Sequence, residues 1–131
     1  MVFNAHIGFE SQHHHRLRRS YIRAKNSVAE LLLVLDYLES GMASKEALER
    51  GRRSLKLLTD ETTIQLVSEV CEVSAEELRD ILKLVRGILE GRVEPAEERC
   101  RRLRDSLMEI LSCLMKRCEL ERKWGRRRQP P

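Results

Sequence analysis

A helix-ending turn signal occurs twice in this chain, at Leu38-Glu39-Ser40-Gly41 and at Leu89-Glu90-Gly91. In both places an apolar helical pattern stops at a glycine, and a polar segment that can start a new helix follows within a few residues. Glycine favours this position because it takes the left-handed backbone conformation that ends many helices without steric cost. Two such reversals restrict the fold to antiparallel helices joined by short turns.

The spacing of the apolar residues predicts four main helices and one short helix. Their expected bounds are about Glu10 to Ser40, Lys45 to Leu58, Glu61 to Cys71, Ser74 to Gly91, and Ala96 to Lys123. The third segment is the short one, and its β-branched residues lower its helix propensity. Ala47 and Gly51 share one face of the second helix, so a neighbouring helix can approach closely there. We therefore predict an all-α, up-and-down antiparallel helical bundle, with a single domain over residues 1–124 and a disordered basic tail over residues 125–131.

Local helix-start signals support these bounds. Ser74 and Glu77 have the spacing of a capping box, in which the serine side chain accepts a hydrogen bond from the Glu77 amide and the Glu77 carboxylate accepts one from the Ser74 amide. Ser44 is a candidate N-cap for the second helix. Pro95 suits the first turn of the last helix.

Composition limits the classes of protein to which the chain can belong. Of its 131 residues, 35% are charged and 41% are hydrophobic, but only 4% are aromatic, so the core has to be aliphatic. The longest apolar run, Leu31–Leu35, is far shorter than the roughly 20 residues that cross a bilayer. Residues 1–15 also lack the basic start and apolar centre of a secretory signal. We therefore expect a cytoplasmic protein that makes no membrane contact.

The four histidines all lie within the first fifteen residues and raise the question of a metal site. On one continuous helix His6, Glu10 and His13 or His14 share a face, which is a reasonable ligand set for zinc. Glu10 and His13 also have the spacing used by di-iron bundles. A di-iron bundle needs a second such pair, however, no histidine follows residue 15, and Gly8 weakens the helix. We expect a polar N-terminus that holds no metal and no other cofactor.

The same shortage of histidine argues against an enzyme. A Ser-His-Asp or Cys-His arrangement would have to take its base from the N-terminal segment, and the isolated glycines form no phosphate-binding loop. The cysteines include no CxxC pair, so we interpret them as small buried hydrophobic residues rather than disulfides or metal ligands. They are Cys71, Cys100, Cys113 and Cys118.

Positive charge is concentrated at the two ends of the chain, although the net charge is only +4. Residues 1–27 hold five basic side chains and one acidic one, residues 116–131 hold seven and two, and the stretch between them is acidic overall. Planar guanidinium groups bind phosphate through paired hydrogen bonds, and a tryptophan can stack on a base. The candidate nucleic-acid-binding residues are Arg16, Arg19 and Arg23, with Arg18 and Lys25 beside them, and Lys116, Arg117, Arg122, Lys123, Trp124, Arg126, Arg127 and Arg128. Solvated ends, or docking on an acidic protein surface, are the alternatives for the same residues.

An apolar surplus on the first and last helices indicates a protein partner. The Leu31–Leu35 run is wider than one neighbouring helix would cover, and the apolar residues of the last helix span more than half of its circumference. In a small bundle such a surplus often packs against another subunit, and burial in the chain's own core is the alternative. The residues concerned in the last helix are Leu107, Met108, Ile110, Leu111, Leu114 and Met115.

Two functions are consistent with these features. We expect first a non-enzymatic assembly or adaptor protein that binds another protein subunit or a second copy of itself. The alternative is a small accessory protein that binds nucleic acid through both basic ends. Whether the two ends share one surface distinguishes these functions, and the sequence does not place the helices in space.

Overall fold

The chain folds into a bundle of α-helices. The computed structural model describes the backbone of residues 2–127 and the side chains of residues 15–123. The helices of this part are α1 (Val2–Glu39), α2 (Lys45–Leu58), α3 (Glu61–Cys71), α4 (Ala75–Leu89) and α5 (Glu98–Arg127). No strand occurs within residues 2–127, and the predicted all-α bundle is confirmed.

The predicted bounds of α2 and α3 are confirmed, but those of the two long helices are wrong at three ends. Helix α1 begins at Val2 rather than near Glu10, because a single glycine such as Gly8 costs only about 1 kcal/mol in a helix and does not stop it. Helix α5 begins at Glu98 because residues 94–97 form a tight turn, in which the Glu97 amide donates to the Glu94 carbonyl at 3.2 Å.

The end of α5 also differs from the expected tail. The sequence assigns residues 125–131 to a disordered tail, whereas the described part of α5 includes Gly125, Arg126 and Arg127. The reason is again that one glycine is tolerated inside an otherwise continuous helix. Residues 128–131 lie outside the described residues.

The two predicted glycine reversals are confirmed in detail. Gly41 and Gly91 have φ values of 71° and 76°. At the first turn the amide of Gly41 donates to Leu38 O at 3.2 Å, and that of Met42 donates to Tyr37 O at 2.8 Å. The same two bonds recur at the second turn, where the amides of residues 91 and 92 donate to the carbonyls of residues 88 and 87 at 3.1 and 2.8 Å. Both turns are therefore complete Schellman motifs, which satisfy the last carbonyl groups of α1 and α4.

Serine side chains cap the two helices at which the sequence predicts a cap. The hydroxyl oxygen of Ser44 accepts from the Ala47 amide at 3.0 Å, and that of Ser74 accepts from the Glu77 amide at 3.0 Å. The second half of the predicted capping box does not form: among the described residues, no hydrogen bond joins the Ser74 amide to the Glu77 carboxylate. A third reversal lies just before this cap, where Glu72 takes a left-handed conformation with φ of 53°.

The two long helices run antiparallel and form the main contact of the bundle. Near the start of α5, Arg104 donates to Leu35 O at 3.3 Å, close to the end of α1. Thirteen residues further along α5, the Arg117 guanidinium carbon lies 5.7 Å from the centre of the Tyr21 ring. Residue numbers thus rise along one helix as they fall along the other.

The shorter helices close a ring with this long pair. Helix α2 packs on α1 and α4, and α3 packs on α4 and α5. An ion pair of 2.5 Å between Arg79 and Glu61 joins α4 to α3. Although α4 and α5 are consecutive, they contact each other over only a short stretch, because α3 takes the place between them. Helix α3, which the sequence predicts as one short helix beside four main ones, is therefore a full member of the bundle.

The core is aliphatic, as the low aromatic content requires. Leu31, Leu35, Leu107 and Leu114 are at most 1% exposed and occupy the contact between α1 and α5. Tyr21 is the buried aromatic residue among the described side chains. Dispersion contacts and loss of apolar hydration at such residues supply most of the stabilisation.

Gly51 permits the close approach that the sequence predicts for α2. A Cβ atom added at Gly51 would lie 3.2 Å from Cγ1 of Val34 on α1 and 3.3 Å from Cδ2 of Leu89 on α4. Three helices therefore meet at this backbone position, and any larger side chain has to displace core residues.

We expect Gly51→Leu to destabilise the protein by about 1–3 kcal/mol, because three added carbons beyond Cβ cannot be accommodated between Val34 and Leu89. Urea unfolding followed by circular dichroism measures the change in the free energy of unfolding. Arg52→Leu is the matched control, since Arg52 is exposed on the same helix. Equal stability of the two variants would contradict the three-helix contact.

Candidate functional site

The antiparallel pairing of α1 and α5 brings the two basic segments to the same end of the bundle. Arg117 lies over Tyr21, and Lys25 lines one groove together with Cys118 and Lys123. Residues 15–25 therefore lie beside residues 116–123. We call this region, together with Arg53 and Lys56 of α2, the basic end.

Three arginines of α1 form an exposed row at the basic end. Arg16, Arg19 and Arg23 follow one another at intervals of three and four residues, which places them on one helix face. Among the described side chains none of them has an acidic partner within 4 Å. Their charges thus face solvent.

The two neighbouring basic residues of α1 are less exposed. Arg18 and Lys25 are half-buried on the side of α1 that faces α5, near Cys118. The Nε atom of Arg18 is buried and has no hydrogen-bond partner in the described part of the chain. These two residues add positive charge at the contact between the helices rather than on the outer row.

A groove between α1, α2 and α3 adds two basic residues that the sequence does not single out. Arg53 and Lys56 of α2 line a groove of about 420 Å³ together with Arg23. The hydroxyl groups of Ser20 and Thr63 line the same groove, and the one carboxylate in its lining is that of Asp60. In the sequence, Arg53 and Lys56 lie opposite the face of α2 that holds Gly51 and Leu55, which indicates that their side chains are exposed. Only the tertiary fold brings them beside Arg23.

The predicted residues of α5 divide into two pairs. Lys116 and Lys123 are exposed and have no acidic partner among the described side chains. Arg117 pairs with the buried Glu121 at 3.5 Å, and Arg122 pairs with Glu119 at 3.3 Å. Ion pairs of this kind at the surface are weak, so an incoming anion can replace the acidic partner of Arg122.

The remaining candidates fall outside the described side chains. Helix α5 includes Trp124, Arg126 and Arg127, but the positions of their side chains are not described, and Arg128 lies outside the described residues altogether. The possible metal ligands His6, Glu10, His13 and His14 belong to the backbone of α1, and their side chains likewise fall outside the described set.

The charges at the two ends of the bundle are organised differently. The basic end and the grooves that its residues line hold eleven basic side chains against the four carboxylates of Asp60, Glu109, Glu119 and Glu121. At the opposite end most charges meet a partner: Arg104 contacts Asp36 at 3.5 Å and also Glu39. Neighbouring ion pairs join Arg92 to Glu90 and Arg99 to Glu97.

Part of the predicted apolar surplus is core, and part is exposed. The buried members on α1 are Leu31, Val34 and Leu35, and those on α5 are Leu107, Ile110 and Leu114. Three others remain exposed: Leu33 at 43%, Met108 at 54% and Met115 at 52%. We call these three residues the apolar stripe.

The two methionines of the apolar stripe lie beside the contact between α1 and α5, on the outside of the bundle. Met108 lies one turn after Arg104, which reaches the backbone of α1. Met115 lines a groove of about 670 Å³ with Lys25 and Cys118. Both methionines are therefore on the side of α5 that adjoins α1.

Two cysteines behave as the sequence predicts. Cys100 is buried and its thiol donates to Glu94 O at 3.2 Å, while Cys118 is half-buried between the long helices. Burial raises the pKa of both thiols, which keeps them protonated. Within residues 15–123 no cluster of three His, Cys, Asp or Glu side chains has an arrangement that could hold a metal ion.

Comparison with known proteins adds no relative: no family model, no curated protein and no solved structure matches this chain. In the described part of the chain, no helix has both the length and the apolar character to span a membrane.

Proposed function

We propose that this protein binds the phosphate backbone of nucleic acid through the basic end of the bundle. The observation that carries the proposal is the antiparallel pairing of α1 and α5, which brings two basic segments nearly a hundred residues apart in sequence to the same end of the bundle. Helix α2 adds Arg53 and Lys56 beside Arg23 at this end.

The chemistry of the basic end suits the phosphate groups of nucleic acid. Arg16, Arg19 and Arg23 present planar guanidinium groups, which bind phosphate oxygens through two parallel hydrogen bonds. Because these groups have no acidic partner among the described residues, binding does not first have to break an ion pair. Release of counterions from the nucleic acid then supplies much of the binding free energy.

The expected binding depends little on base sequence. Exposed arginine and lysine side chains on helix surfaces contact phosphate and sugar, which position a protein but carry no sequence information. We therefore expect duplex DNA and RNA of unrelated sequences to bind with similar affinity, and the affinity to fall steeply with salt.

Removing positive charge from the groove between α1, α2 and α3 should weaken nucleic-acid binding more than removing the same charge elsewhere on the protein. We expect the triple variant Arg23→Ala, Arg53→Ala, Lys56→Ala to lower the slope of log affinity against log salt by about 2–3, since each phosphate contact contributes about 0.9. Fluorescence anisotropy of a labelled duplex and a labelled RNA hairpin, measured over a range of salt concentrations, gives this slope.

The matched control removes three exposed basic residues that lie outside the basic end: Lys83→Ala, Arg86→Ala and Arg101→Ala. Both triple variants lose the same net charge, so equal losses of affinity would indicate attraction to net charge alone. No binding of either nucleic acid by the unaltered protein at low salt would refute the proposal.

The apolar stripe favours a second candidate function, which is assembly with another copy of this chain. Leu33, Met108 and Met115 expose apolar area along the longest helix pair, and methionine side chains adapt easily to a facing surface. A two-fold axis across this face would bring the same residues of two copies together.

We expect Met108→Glu with Met115→Glu to convert a dimer at high micromolar concentration into a monomer, because four carboxylates would face one another in the interface. Size-exclusion chromatography with light scattering measures the mass. Met42→Glu is the control, since Met42 is exposed at a turn away from the stripe. A strictly monomeric unaltered protein would exclude this candidate.

A further inference from the structure

Two cysteine thiols face each other where α3 packs on α5. The Cys71 thiol lies 3.9 Å from the carbonyl oxygen of Ile110 on α5, and the Cys113 thiol lies 3.4 Å from that of Val70 on α3. Each thiol therefore reaches the backbone of the other helix. The two side chains therefore meet at one contact between α3 and α5, although 41 residues separate them in the chain.

The other two cysteines take no part in this contact. Cys100 donates to Glu94 O, and Cys118 lies beside Lys25 and Arg18. In this structure all four thiols are free. The pair on α3 and α5 is consequently the one arrangement in the described residues in which two thiols are already adjacent.

Each cysteine of this pair lines a groove at the surface of the bundle. Cys113 lines an open groove of about 490 Å³, together with Val70, Lys116 and Leu120. Cys71 lines a smaller groove of about 80 Å³ on the other side of the contact. Both residues are half-buried, so they are accessible but held in place by the surrounding helices.

We propose that Cys71 and Cys113 form a reversible disulfide that joins α3 to α5. With hydrogen peroxide as the oxidant, the Cys113 thiolate attacks one peroxide oxygen and the O–O bond breaks, which leaves a sulfenic acid on Cys113 and releases the other oxygen as water. The Cys71 thiolate then attacks the Cys113 sulfur. The S–S bond forms, the S–O bond breaks, and the leaving hydroxide takes up a proton as a second water. Two thiols thus lose two electrons and two protons to one peroxide.

The order of these steps follows from the surroundings of the two thiols. Cys113 lines the wider groove and meets the oxidant first. Burial, with the neighbouring Cys113 thiol as a second cause, raises the pKa of Cys71. Cys71 therefore stays protonated in the resting protein, and its attack on the sulfenic acid should become faster as the pH rises.

Helix α3 is the element that such a bond would stabilise. It is the shortest of the described helices, with 11 residues, and the side chain of its N-cap residue Asp60 makes no capping hydrogen bond. Its C-terminal end requires a left-handed conformation at Glu72, which is unfavourable for a residue other than glycine. A covalent bond from Cys71 to α5 would hold this end of α3 in place.

Peroxide treatment of the full chain, followed by mass spectrometry of tryptic peptides under non-reducing conditions, tests the proposal directly. We expect a loss of two hydrogens from the intact mass and one cross-linked peptide that contains Cys71 and Cys113. The melting temperature should rise by about 5–10 °C and return to its first value with dithiothreitol. The peptide map uses the unaltered protein, so it does not depend on the folding of any variant.

Serine variants give the matched comparison. Cys71→Ser and Cys113→Ser should each abolish the cross-link and the rise in melting temperature, whereas Cys118→Ser should preserve both. A cross-link that involves Cys100 or Cys118, a cross-link between two chains, or oxidation to sulfinic acid without any cross-link would each overturn the proposal.

Discussion

The contact between α1 and α5 is the constraint on which the other features of this protein depend. Leucine side chains from both helices fill it, and the two helices run in opposite directions along its length. Burial of these side chains stabilises the pair through loss of apolar hydration and through dispersion. The direction of the pair decides which surface residues become neighbours, so the same contact organises the core, the basic end and the apolar stripe.

The distribution of ion pairs gives the two ends of the bundle different properties. Arg104 has two carboxylates and a backbone carbonyl as partners, so its charge is already satisfied within the fold. The arginine row of α1 has no acidic partner among the described residues, so its positive charge is available to bind an external anion. This difference supports the proposal for the basic end more strongly than the net charge of the chain does.

Local features of the fold were predictable from the sequence, whereas features that depend on tertiary contacts were not. Gly41, Gly91, Ser44 and Ser74 act within one or two helical turns, so their roles follow from residue type and spacing alone. The left-handed conformation at Glu72 has no such signal, because a glutamate rarely adopts it. The place of α3 between α4 and α5, and the meeting of Arg53 with the basic row of α1, depend on how whole helices pack, which no local pattern encodes.

The antiparallel direction of α1 and α5 also has a practical consequence for anyone who handles this protein. The start of α1 and the end of α5 both leave the bundle on the side of the basic end. A purification tag, fluorophore or fusion partner attached beyond either helix end would therefore lie on the same side of the molecule as the surface under study, where a polyhistidine or acidic tag would alter the local potential. Labels placed near the Gly41 or Gly91 turn would sit at the far side of the molecule and avoid this interference.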